Sequence, residues 1–100
     1  RVSPISGVYV VRVNTGEGSY FGVANVGSRP TVAGIRQQLE VHIFDFDENL
    51  YGQSIEVVML KKLRNEMKFT SIDELTQQIS KDSEQARHYV RALVNQDDNG

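Results

Sequence analysis

The stretch LEVHIFDFDENLYGQ, residues 39–53, sets a carboxylate two positions from an imidazole on what reads as a β-strand: Glu40 and His42. A strand-borne carboxylate can take the proton of an attacking hydroxyl, and a histidine can do the same near neutral pH. Upstream, Asn25-Val26-Gly27-Ser28-Arg29-Pro30-Thr31 carries an arginine in a Gly/Pro-punctuated loop. Such a loop, with Gly27 free to take positive φ, can offer backbone amides and a guanidinium to an anion. Carboxylates on strands framed by glycine loops suit the positioning of a phosphorylated ligand. Each feature also has a plainer account. Glu40 and His42 can sit at the wet rim of a face half covered by helices, and Arg29 can be a solvated residue of a structural turn. His42 reads as a hydrogen-bonded wall residue rather than a base.

Composition narrows the chemistry. The chain has 100 residues, 39% apolar and 24% charged, with a formal net charge of −2. That is the profile of one small globular domain, and it argues against a non-specific nucleic-acid binder, which shows a basic excess. Without cysteine there is no disulfide, thiolate metal site or cysteine nucleophile. The lack of cysteine fits the cytoplasm. No apolar run approaches the ~20 residues of a membrane span, so no membrane partner is expected. Neither the GxxxxGK[ST] phosphate loop nor the dinucleotide GxGxxG occurs.

The elements that must position these residues change character near residue 70. Before it, Val/Ile/Tyr/Phe-rich runs alternate with glycine clusters, predicting strands over 7–13, 20–26, 38–47 and 54–64. The first two form a hairpin across Asn14–Gly18, and the last two meet around Asn49 and Gly52. In the third strand, Leu39, Val41 and Ile43 share one face; Glu40, His42, Phe44 and Phe46 share the other. Together the strands suggest a sheet curling toward a barrel. After residue 70, Ser71-Ile72-Asp73-Glu74 is a capping box that opens a short helix. Asp82 is placed to cap a second, with Ala86, Tyr89, Val90, Leu93 and Val94 as its apolar stripe. Asn95–Gly100 reads as a frayed tail.

The ordered set SGVYVVRV, YFGVANVGSRPTV, LEVHIFDFDENLYGQ and LRNEMKF followed by SIDELTQQISKD resembles the riboflavin kinase domain. More narrowly, it resembles the C-terminal module of bacterial bifunctional riboflavin kinase/FAD synthetases. The likeness runs from about Ser6 to Ala86. It implies a mainly β fold: a small antiparallel Greek-key barrel with C-terminal α-helices. It also implies transfer of the ATP γ-phosphoryl group to the 5′-hydroxyl of riboflavin, giving FMN, with Mg²⁺ as the usual metal. By the same resemblance Glu40 is the catalytic acid/base residue. Ile43, Asp45 and Tyr51 fall where the family contacts the nucleotide, and Arg64, Met67 and Phe69 where it holds the flavin. Phe69 would offer an apolar face and Arg64 a fork of donors; Met67 can equally be a gap-filling thioether. An N-terminal adenylyltransferase domain in the parent protein is the implied partner.

One departure stands out. The family places a glycine-rich stretch and a Pro-Thr-Ala-Asn motif, which help hold metal and ATP phosphates, just before the Gly-Val-Tyr strand. Nothing before Ser6 matches them. The expectation is therefore a riboflavin kinase domain over 1–100, with its β part at 6–69 and helical part at 71–94. It would lack the first strand and the metal/ATP motif, and would be a poor kinase as this segment. A non-catalytic flavin-binding module and a protein-interaction barrel are the alternatives.

Overall fold

The computed structural model describes residues 5–99, with side chains through residue 96. Four strands, β1 (Gly7–Thr15), β2 (Gly18–Thr31), β3 (Gly34–Ile43) and β4 (Glu56–Arg64), precede one helix, α1 (Ile72–Asn99). All strand pairs are antiparallel and the sheet order is β3-β2-β1-β4. Three hairpin-linked strands followed by a fourth that returns beside the first is the Greek-key arrangement. The mainly β, Greek-key expectation therefore holds. Among the described residues β3 and β4 are the sheet edges.

β1 is central because it is the strand most able to be covered on both faces. Val10 and Val11, neighbours pointing to opposite sides, are both fully buried. On one side Val10 packs with Phe44 and Ala86, joined by Phe21, Val23, Leu60, Leu63, Tyr89 and Val90. This is the side on which α1 lies. On the other, Val11, Val13 and Ala24 form a second cluster, and Val41 and Ile43 from one edge strand and Val57 from the other close over it. Both edges thus curl over one face, as a barrel-like sheet requires. Two register shifts between β1 and β4 mark the irregularities that let the sheet bend.

Four expectations are corrected. The two predicted helices are one: Ser80-Lys81-Asp82-Ser83 contains no Gly or Pro to break it, and the apolar spacing runs on from Leu75 and Ile79 to Ala86 and Tyr89. The tail is not frayed from Asn95, since α1 continues to Asn99; Gly100 lies outside the described residues. The 25–31 loop is instead the distal half of β2. Beyond Val26, β2 pairs only with β3, down to Thr31↔Gly34, so the segment forms a two-stranded arm that accommodates Pro30. Gly34, at φ +144, closes the arm's tip beside fully exposed Val32. The stretch before Ser6, where the metal motif is expected to be missing, lies outside the described residues apart from Ile5.

The predicted third strand also ends early. Phe44 turns inward, its amide still donating to Phe21 O at 2.8 Å, and Asp45 takes a left-handed φ of 55°. The 44–55 connection then carries the expected turn. Asn49 Oδ1 accepts from the Tyr51 amide (2.8 Å), Gln53 N donates to Leu50 O (3.1 Å), and Gly52 supplies φ 78°.

Candidate functional site

A cavity of ≈ 610 Å³ opens where the sheet, α1 and the 64–69 segment meet. Period-two alternation turns Glu40 and His42 of β3 toward it, while Ile43 turns away into the second core cluster; Val41 packs on that cluster and also borders the cavity. Arg64, Met67 and Phe69 line it from the end of β4 and the segment that follows. The structure thus brings together the predicted acid and all three residues predicted on the flavin side. His42 borders the cavity and packs edge-on against Phe44 (centroids 5.8 Å apart, planes at 70°).

Glu40 is open to solvent within this cavity. Its carboxylate lies 3.9 Å from Arg29 Nη2, with the two side chains 60% and 68% exposed. Arg29 is held by Gln38, whose Oε1 accepts from Nε at 2.9 Å. The arm formed by β2 and β3 therefore carries both partners: Arg29 comes back across the strand pair toward the face that Gln38 and Glu40 share. Gly27 contributes through closeness rather than through an unusual φ. A Cβ there would sit 2.6 Å from Glu66 Oε1, so the bare strand lets the Glu66 carboxylate approach the cavity wall.

Arg64 is the most constrained of the lining residues. Its Nε donates to both carboxylate oxygens of Asp82 (2.9 and 3.1 Å) and its Nη2 to Oδ2 (2.7 Å). Nη1 donates to Asn65 O at 3.1 Å. The Phe69 ring centre lies 6.0 Å from the guanidinium carbon, at the outer limit of a cation–π contact. Asp82, read above as a helix cap, is thus a mid-helix partner of a β4 arginine. The signal that could have found it is the 75, 79, 82, 86 spacing, which sets Asp82 on the buried flank of one continuous helix.

The residues predicted on the nucleotide side lie elsewhere. Ile43 packs in the second core cluster, Asp45 pairs with Arg87 at 3.3 Å, and Tyr51 is 94% exposed on the 44–55 connection. None of the three lines the Glu40 cavity. Another depression of ≈ 670 Å³ runs between β4 and α1, with Lys61, Lys62, Lys81 and Arg91 among its lining residues. It holds none of the predicted catalytic, nucleotide or flavin residues, and lysines on an exposed edge strand such as β4 discourage edge-to-edge pairing.

For a divalent metal, the described residues offer no group of three or more His, Asp or Glu side chains able to hold an ion. The site as described does not by itself form a Mg²⁺ cage.

Comparison with known proteins gives this geometry a context. A family model described as "Flavokinase: Riboflavin kinase" matches residues 1–90. The bifunctional riboflavin kinase/FMN adenylyltransferase of Escherichia coli (strain K12) is 57% identical over 90 residues, 89% of this chain and 29% of that protein. The Haemophilus influenzae protein of the same description is 53% identical over 93 residues, 92% of this chain and 30% of its own length. The chain therefore spans less than a third of the curated relatives it matches. Among solved structures, one described as a macrolide-efflux protein from Streptococcus pneumoniae aligns with a TM-score of 0.77 and 38% identity. The alignment covers 86% of this chain and 28% of that one. Among the described residues no helix is long and apolar enough to cross a membrane.

Proposed function

The chain belongs to the riboflavin kinase family, and from that premise we propose that it transfers the γ-phosphoryl group of ATP to the 5′-hydroxyl of riboflavin, giving FMN and ADP. The observation that carries this is the convergence of Glu40 with Arg64, Met67 and Phe69 on one ≈ 610 Å³ cavity, within the usual size range of small-ligand sites. Phe69 and Met67 give the flavin ring an apolar flank, and the Glu40 side of the cavity receives the ribityl chain.

Glu40 accepts the proton of the 5′-hydroxyl as that oxygen bonds to the γ-phosphorus. The bond from the γ-phosphorus to the bridging oxygen breaks, and its electrons leave with ADP. Phosphoryl transfer rests on positioning and charge neutralisation, so a solvent-accessible carboxylate suffices once the hydroxyl is aimed. Arg29, 3.9 Å from Glu40, supplies positive charge beside the carboxylate that takes the proton. The nucleotide is assigned to the 43–51 side, with Ile43, Asp45 and Tyr51 as its contacts. Mg²⁺ is the ion expected to accompany ATP, bound through substrate phosphates and waters as is usual for it. An adenylyltransferase module in the same polypeptide, as in the curated relatives, would take up the FMN. A cytoplasmic location accords with ATP as the donor.

The test is riboflavin fluorescence titration with FMN production followed in parallel, for the wild type and Glu40→Gln. Riboflavin binding by both with FMN formed only by the wild type supports the assignment. Absence of riboflavin binding by the wild type refutes it.

A further inference from the structure

The 65–69 segment lines the cavity through Glu66, Met67 and Phe69 yet has no regular secondary structure. Among the described residues, no backbone–backbone hydrogen bond ties them to the rest of the fold. What holds the segment lies at its two ends, and both ends are held by α1. At the near end, Arg64 Nη1 fixes Asn65 O, and Arg64 is itself gripped by Asp82. At the far end, the Glu74 carboxylate takes the Thr70 amide at 2.9 Å and the Thr70 hydroxyl at 2.8 Å.

The near end is the stiffer tie. The Arg64 and Asp82 side chains are 18% and 6% exposed, and Asp82 Oδ1 also accepts from Gln78 Nε2 at 3.0 Å. A two-pronged, mostly desolvated guanidinium–carboxylate pair has little freedom to rotate. Asp82 therefore sets the plane of the Arg64 guanidinium. That plane in turn decides where Asn65 O sits and where the chain leaves toward Met67 and Phe69.

We propose that Asp82 is a positioning residue for the flavin side of this cavity. Through Arg64 it holds the 65–69 segment in the conformation that receives the isoalloxazine ring. The inference rests on the kinase assignment above and assigns Asp82 no contact with the reacting atoms. It also separates the two substrates: loosening this tie weakens riboflavin binding and leaves the nucleotide side, carried by 43–51, unaffected.

The experiment compares wild type, Asp82→Asn and Asp82→Glu in the intact protein, measuring riboflavin Kd by fluorescence, KM for each substrate, kcat and Tm. Asp82→Asn is expected to raise the riboflavin Kd and KM about tenfold, with kcat and the ATP KM within about twofold of wild type. Asp82→Glu retains the charge but shifts the carboxylate by one methylene. It should give an intermediate rise, and it carries the test alone if Asp82→Asn does not fold. A lowered Tm with unchanged riboflavin Kd would show a merely structural pair and overturn the proposal, as would equal losses for both substrates. A wild type that binds no riboflavin overturns the kinase assignment and this inference together. Wild-type binding with unaltered variants overturns the inference alone.

Discussion

Arg64, the last residue of β4, and Asp82, eleven positions into α1, meet in a mostly buried ion pair whose shortest contact is 2.7 Å. This is the polar tie that locks the helix to the sheet edge. Neither residue's sequence neighbourhood announces it: one stands at the end of a strand, the other in a polar stretch that resembles a cap. The pair also joins the cavity wall to the core, because Asp82 lies one helical turn before fully buried Ala86.

Breaking the pair on one side leaves a charge in a place built to exclude water. Asp82→Ala should lower stability by about 3 kcal/mol, read by urea or thermal unfolding. Replacing both partners, Arg64→Met with Asp82→Leu, removes both desolvated charges and should bring stability back to within about 1 kcal/mol of wild type. A double variant as unstable as the single one would show that packing, not charge burial, governs this corner.

Glu40→Gln keeps the shape of the residue and removes the proton acceptor. FMN formation should fall roughly 10²–10⁴-fold while riboflavin affinity stays near wild type, as seen by single-turnover assay and fluorescence titration. Because Glu40 and Arg29 are both largely exposed, breaking their contact should change stability by less than about 1 kcal/mol.

The helix start predicts a pH effect. The Ser71 hydroxyl accepts from the Glu74 amide at 3.1 Å, and Glu74 reaches past Ser71 to Thr70 rather than to the cap's own amide. Accepting first from the Thr70 amide and then from its hydroxyl holds the Glu74 carboxyl below its ordinary value, against a smaller opposing effect of desolvation. With the folded pKa depressed, the unfolded chain binds more protons in the window between the two values. The stabilisation is thus present above the unfolded glutamate pKa of about 4.3 and is lost as pH falls through the folded value. Glu74→Gln should flatten this acid limb of the stability profile. Ser71→Ala should cost about 1 kcal/mol at neutral pH.

Two glycines on β2 should respond differently to alanine. At Gly22 a Cβ would lie 2.2 Å from His42 O, a backbone atom of β3 that cannot swing aside. Gly22→Ala should therefore destabilise by roughly 2–3 kcal/mol and disturb the strand that carries Glu40. At Gly27 the obstruction is the end of the Glu66 side chain, which can rotate away. Gly27→Ala should cost less than about 1 kcal/mol, its effect confined to the cavity wall. Comparing the Tm values of the two variants checks the contrast.

Local chemistry was enough to determine a good deal. Alternation in LEVHI placed Glu40 and His42 on a face apart from Val41 and Ile43, because a strand has only two sides. The Asn-Leu-Tyr-Gly turn was legible because Asn and Gly each supply a specific backbone need at that spot. The order of motifs carried the family, and with it the grouping of Glu40 with Arg64, Met67 and Phe69. The tertiary structure decided what depends on partners distant in sequence. Val-Gly-Ser-Arg-Pro looks like a loop by composition, yet it becomes strand because β3 pairs with it all the way to Thr31↔Gly34. Asp82 looks like a cap, yet it lies inside one long helix because Arg64, eighteen residues earlier, supplies the charge that makes its burial tolerable. Pairing energy and desolvation act across space, so local composition did not reveal the strand at 27–31, and for Asp82 the apolar spacing could signal the continuous helix but not the arginine that partners it.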